Sequence, residues 1–374
     1  MSKFQKLLLY FLFFLVGIST VLIGQVLPFI SARFLLTDAQ SSKFFIAHFA
    51  GSILGILVYE FIVKSRSFLL VIRIGCVCAA VGVILLNSEF QFICSAGFFL
   101  NGVCTGANIP AINMLMAKVN PSNTVSSLSF LNFFWGVGAI TCQPFIYAFA
   151  DEGSLLVPTT LLSVLYLLAC VFLRNSPKGE RERKRIASFG FREIWSNPIS
   201  WLIAFFNFAH VGLESGIGGW LTTYSERFYA ESLSATPVFF TFFVLGRLLA
   251  PISVRFCPER LFVLISLLIL NAGLLLILIS EKSLFLGASI CGIGASAIFP
   301  ANMARFTKIF APSATKNAAP LFIMGSLGGI ITNTLIGIAS DYFESLVYGI
   351  LILVFNAFIL TIIELLLLFR FSTR

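Results

Sequence analysis

The chain has 374 residues, of which 58% are hydrophobic and 11% charged, and it carries a formal net charge of +9. A water-soluble domain has about a quarter of its residues charged. There is too little polar surface here to clothe a globule, so a soluble fold is excluded and the outside must meet lipid.

The opening stretch MSKFQKLLLYFLFFLVGISTVLIGQVLPFI starts like a signal peptide. Its apolar part outruns an h-region and no small-x-small cleavage site follows, so it is expected to stay as a first span. Apolar runs long enough to cross a bilayer, which takes about 20 residues, recur near 7–30, 44–63, 67–87, 91–118, 124–150, 155–173, 198–222, 236–255, 260–280, 284–308, 317–340 and 346–369. They lack the alternation of barrel strands. The pattern predicts an all-α membrane protein: twelve transmembrane helices in two pseudo-symmetric six-helix bundles. Residues 1–173 form the first bundle and 198–374 the second, joined by a basic cytoplasmic linker at 174–197. The linker's charges are mixed in sign, and part of it is expected to lie as an amphipathic helix against anionic headgroups.

Charge tests the count independently. With the N-terminus inside, one side holds Lys3, Lys6, Arg73, Lys118, the cluster from Arg174 to Arg192, Arg305 and Lys308, while the other holds only Arg33, Lys43, Arg227 and Lys282. That second side carries most of the acids, among them Asp38, Glu89, Asp151, Glu226, Asp341 and Glu344. Such a Lys/Arg bias sets both termini in the cytoplasm. It also accounts for the net charge without a nucleic-acid partner. Seven of the eight cysteines lie within apolar runs, with no C-x-x-C pair, so they read as small buried hydrophobes and no metal or cofactor is expected.

The two halves match at a constant offset. Gly102, Pro110, Lys118, Gly138 and Asp151 find Gly292, Pro300, Lys308, Gly328 and Asp341, each 190 positions later. Parallel six-helix repeats are a transporter architecture. On PAINMLMAKVNPSNTVSSLSFLNFFWGVGAI, GLESGIGGWLTTY, VLGRLLAPISVRF and the block from Phe299 to Asp341, the chain resembles a major facilitator superfamily transporter of the fucose-permease-like, sugar-transporting branch. The family's loop motif survives only in part, as Gly55, Leu57, Glu60, Lys64 and Arg66, and the Gly-Pro signature of drug antiporters is absent.

The resemblance implies a midplane site lined by spans 1, 4, 7 and 10, at which a small solute binds while the halves rock around it. In span seven, Asn207, His210 and Glu214 stand at i, i+3 and i+7 on one stripe. A carboxylate at that depth survives by pairing, by facing water or by holding a proton. Glu214 with His210 is therefore the expected proton-coupling pair, the alternative being a structural lock on the helix. Arg247 in span eight is a candidate gate, by its likeness to the family's Gly-Arg pair. Gln25, Asn101, Thr105, Asn108, Asn132, Trp135 and Asn207 offer amides, a hydroxyl and an indole face suited to an uncharged polyhydroxylated solute, or else ordinary interhelical bonds. Fucose-permease-like symporters have acids in the first and fourth spans, and this chain has none there. If neither Glu214 nor His210 titrates in the working range, uniport is the expectation.

The leading expectation is a monomeric secondary transporter of a small polar solute, a sugar, coupled to protons, in a bacterial inner membrane. Export of lipophilic compounds and a non-transporting receptor are the alternatives. No HExxH, no Gly-x-Ser-x-Gly and no phosphate-binding Gly-Lys-Ser loop is present, so an enzyme is not expected.

Overall fold

The structure is a computed structural model that describes residues 2–65, 67–120, 124–151, 154–173, 190–228, 234–253, 259–310 and 317–372. Most of the expected linker, residues 174–189, lies outside them, as do Arg66 and Cys257. The chain forms two compact units, Met1–Arg181 and Glu182–Arg374.

The first unit contains α1 (Lys3–Phe34), α2 (Asp38–Ser41), α3 (Lys43–Ser65), α4 (Phe68–Leu85), α5 (Gln91–Val119), α6 (Thr124–Phe149) and α7 (Leu156–Phe172). Its helices start where a small polar side chain can take an orphan amide. Ser2 accepts from the Gln5 amide, Ser67 accepts from the Leu69 amide, and Thr37 forms a capping box with Gln40. Cations close the opposite ends. Arg33 donates to the Leu86 and Ser88 carbonyls beyond α4, and Arg73 donates to the Leu173 carbonyl beyond α7.

The second unit contains α8 (Phe191–Trp195), α9 (Pro198–Phe228), α10 (Thr236–Ser253), α11 (Glu259–Ile279), a 3-10 turn (Glu281–Ser283), α12 (Leu284–Ala295), α13 (Ile298–Phe310), α14 (Ala319–Tyr342) and α15 (Leu346–Ser372). The last residues of the expected linker are folded onto this unit. Ile194 is buried, and the Trp195 indole N–H donates to the Asn317 carbonyl. Among the described residues, eight helical stretches are long and apolar enough to cross a membrane, and two shorter apolar helices accompany them. Helices α6 and α9, of 26 and 31 residues, match them in length.

The two units share one packing order. Helix α3 packs on α5 as α10 packs on α12, α1 on α6 as α9 on α14, and α4 on α7 as α11 on α15. The matched glycines explain why the repeat is visible in the sequence. A Cβ on Gly138 of α6 would overlap the Phe14 carbonyl oxygen of α1, and one on Gly328 of α14 would overlap the Phe208 carbonyl oxygen of α9. Helices in lipid gain little from the hydrophobic effect against each other, so close backbone approach through small residues is what holds them. Gly328→Ala is expected to cost at least the 1–3 kcal/mol typical of about one extra methyl in a packed interior, read as a lower melting temperature in detergent.

The units differ in one place. The tenth apolar run, expected as a single span at 284–308, is two helices separated at Ser296 and Ala297. Its counterpart α5 runs unbroken through Pro110. The described cysteines are free; Cys76, Cys94, Cys104, Cys142 and Cys291 are buried, Cys78 and Cys170 partly so.

Candidate functional site

Helix α9 carries three polar side chains along a face that its neighbours divide. Asn207 sits one turn before the acid pair and turns to α14, where its amide nitrogen donates to the Leu321 carbonyl at 2.8 Å. His210 and Glu214 are one turn apart, and their side chains meet: Nε2 of His210 stands 3.1 Å from Oε2 of Glu214. The buried Nδ1 of His210 has no hydrogen-bond partner among the described residues. The other face of the ring lies against Phe299 of α13, centroids 6.1 Å apart and planes at 23°.

Glu214 keeps 22% of its side chain exposed while His210 keeps 2%, so the carboxylate is the open end of the pair. Arg247 of α10 lies within coulombic reach of that carboxylate. Its guanidinium also covers the Phe243 ring at 4.2 Å, and its Nε donates to the Ser296 carbonyl at 3.2 Å. A lone carboxylate at bilayer depth costs about 2.5–3.5 kcal/mol on insertion scales. Here an imidazole donor and a nearby guanidinium offset that cost.

The amides expected to meet a solute are engaged in the first unit's own packing. Asn101 donates to the Ser19 carbonyl of α1 at 2.8 Å. Asn108 turns to α4, its nitrogen 3.5 Å from Cys104 Sγ of its own helix and its side chain filling the space above Gly75. Thr105 bonds the Gly102 carbonyl at 2.9 Å, and Asn132 bonds the Leu128 carbonyl at 2.8 Å, each within its own helix. Gln25 is fully buried on α1 and donates to the Val21 carbonyl at 3.4 Å. Trp135, expected as a stacking platform, is 7% exposed and donates its indole N–H to Thr20 Oγ1 at 3.2 Å. The donors of Asn101 and Trp135 make interhelical bonds, while those of Gln25, Thr105 and Asn132 are taken up within their own helices. The buried oxygens of Asn101, Asn108 and Asn207 find no hydrogen-bond partner among the described residues and keep acceptor capacity.

Two further features lie on α13 and α15. Glu364 is wholly buried on α15 and takes both guanidinium nitrogens of Arg305 on α13, at 3.0 and 2.7 Å. Phe299, the ring against His210, passed as one phenylalanine among 43. Its position directly before Pro300 was the available signal.

Two six-helix units with matching packing order, and an ionisable cluster inside a span, define the architecture of a secondary transporter. The model of the Major Facilitator Superfamily matches residues 9–280, and the chain belongs to that family, a multi-pass membrane protein. It is 24% identical over 351 residues to the glucose/mannose transporter GlcP of Bacillus subtilis (strain 168), with 88% of this chain and 86% of that relative covered. Among solved structures it is similar to the E. coli fucose:proton symporter FucP, with a TM-score of 0.67 at 17% identity over 97% of this chain and 98% of that one. It is also similar to the nucleoside transporter NupG, with a TM-score of 0.78 at 13% identity over 96% and 99% of the two chains.

Proposed function

We propose that the protein carries a hexose-type sugar together with a proton across the cell membrane by alternating access, as two bundles (1–173 and 198–374) joined by a cytoplasmic linker at 174–197. The observation that carries the reading is the Glu214–His210 pair in α9, partly open at the carboxylate and with Arg247 in coulombic reach. An intramembrane acid of this kind is retained at a cost, and proton relay is one of the uses that justify it. The full-length likeness to a glucose/mannose transporter supports the sugar, and the Lys/Arg bias supports cytoplasmic termini.

In this reading Glu214 exchanges the proton, His210 holds the carboxylate in place through Nε2, and Arg247 stabilises its charged form. The acceptor oxygens of Asn101, Asn108 and Asn207, with Gln25, Thr105, Asn132 and Trp135, supply the sugar's hydroxyl and ring contacts if the packing bonds open during the cycle.

Purified protein in liposomes with an acidic outside is expected to accumulate D-glucose or D-mannose above equilibrium, and a protonophore is expected to abolish the accumulation. Uptake that never exceeds equilibrium under any pH gradient would replace symport by uniport. No hexose flux at all, with efflux of lipophilic dyes instead, would overturn the reading in favour of export.

A further inference from the structure

The break in the tenth span has a local cause. Pro300 has no N–H and its ring crowds the carbonyl four residues back, which is that of Ser296. The helix restarts with Ala301 bonding Ala297, so the Ser296 carbonyl is left without its helical donor. Arg247 supplies one, through Nε at 3.2 Å. The Ser296 hydroxyl turns back to the Ile293 carbonyl at 2.6 Å, closing the end of α12.

The first unit is an internal control. It has the same proline, Pro110, in the same repeat position, and α5 stays whole. Packing identifies the residue standing where Arg247 stands. Gly246 of α10 lies against Ile293 and Ser296 of α12, and Gly55 of α3 lies against Val103 and Gly106 of α5. Val103 and Gly106 are the repeat partners of Ile293 and Ser296. The residue after Gly246 is Arg247, whereas the residue after Gly55 is Ile56, which has no donor. The proline is common to both units, and the interruption occurs where the arginine is.

The two half-helices belong to different neighbours. Helix α12 packs on α10 and α11. Helix α13 is held to α9 by Asn302, which donates to the Ile203 carbonyl at 3.2 Å, and to α15 by Arg305 on Glu364. The joint between them therefore separates two blocks of the unit, and Arg247 sits at the joint with Glu214 in reach.

We propose that Arg247 is a positioning residue that holds the tenth span open by capping the Ser296 carbonyl Pro300 leaves unpaired, and that it ties this joint to the charge on Glu214. The capping half stands on geometry alone; the tie to Glu214 rests on the proton role proposed above. A charged Glu214 and the Ser296 carbonyl draw on one guanidinium, and neutralising Glu214 removes one of the two pulls. Among the described residues of the elements packed on α9, Arg247 is the charged group within coulombic reach of Glu214, beside His210 on its own helix. Arg305 and Glu364 are engaged with each other, and Asp341 stands at the far end of α14.

The test is backbone hydrogen exchange across residues 294–302 of the full-length protein in detergent, measured without any substrate. Arg247→Gln is expected to speed exchange there by about tenfold or more, the fold-change that follows loss of a hydrogen bond from a charged donor. Pro300→Ala restores an N–H for Ser296, so Arg247→Gln with Pro300→Ala is expected to return exchange to the wild-type level or below. Unchanged exchange in Arg247→Gln overturns the cap. So does rescue by Glu214→Gln instead of Pro300→Ala, which would make Arg247 a counter-ion only. Should Arg247→Gln fail to reach the membrane, Pro300→Ala alone is read: slower exchange across 294–302 supports the cap and no change overturns it. The tie is read separately, from Glu214→Gln in the wild-type background. It is expected to slow exchange at the joint, and no change there overturns the tie while leaving the cap intact. Failure of the coupling reading is told apart by transport, since a Glu214→Gln protein that still concentrates sugar sinks that reading whatever the joint does.

Discussion

Glu214→Gln is expected to abolish uphill accumulation of sugar while leaving exchange of labelled for unlabelled sugar near the wild-type rate. The substitution is close to isosteric. Its amide oxygen accepts from His210 Nε2 as the carboxylate does now at 3.1 Å, so the helix and its neighbours lose little packing. What disappears is a group that can take up and release a proton. With one proton per solute, each unit of pH difference can sustain about a tenfold concentration ratio, because about 1.4 kcal/mol is tenfold in an equilibrium constant. The variant's ratio should fall to about one under the same gradient, read as steady-state D-glucose inside liposomes. Exchange needs only binding, release and reorientation of the loaded carrier, with no net proton movement. A variant that keeps concentrating sugar under a pH gradient would remove Glu214 from the mechanism; one that loses exchange as well would make it a binding or structural residue.

The outline of this molecule was legible because lipid imposes a strong pattern. A span must be apolar over a bilayer's width, whatever its function, so the runs emerged by length alone. The repeat emerged because close helix contacts tolerate only glycine, and Gly138 and Gly328 meet carbonyl oxygens of α1 and α9 in the same way. The acid pair was legible because i and i+4 on a helix are neighbours. Helical spacing does not say which neighbour a face meets. Asn101 and Asn108 share a stripe by spacing, yet one bonds α1 and the other lies against α4, because six helices surround each other at close angles. The break at Ser296 was hidden for a related reason. Pro110 and Pro300 are equal in sequence, and what separates their outcomes is an arginine about 50 residues upstream on another helix.

Breaking the Arg305–Glu364 pair is expected to have the largest effect on stability, and the two ways of breaking it should differ. Glu364 is 0% exposed while Arg305 keeps 17% of its side chain open. Removing one partner of a buried ion pair costs about 3–5 kcal/mol because the other charge is left uncompensated. Arg305→Met strands the carboxylate, which has nowhere to go. Glu364→Leu strands a guanidinium on a long stem, which can swing its head toward water and already lies 5.8 Å from the Phe206 ring. Arg305→Met should therefore be the worse of the two in melting temperature, measured in one detergent at one pH. The double variant Arg305→Met with Glu364→Leu replaces the pair by apolar volume, and buried pairs so replaced are often neutral in stability. Recovery in the double variant would show that the pair does not hold α13 to α15 by attraction alone. Its contribution would then be to fix which way α13 faces, with Phe299 on its first turn stacked against His210. In that case transport should remain impaired in the double variant even as its melting temperature returns, and recovery of both together would leave the pair a purely mechanical tie.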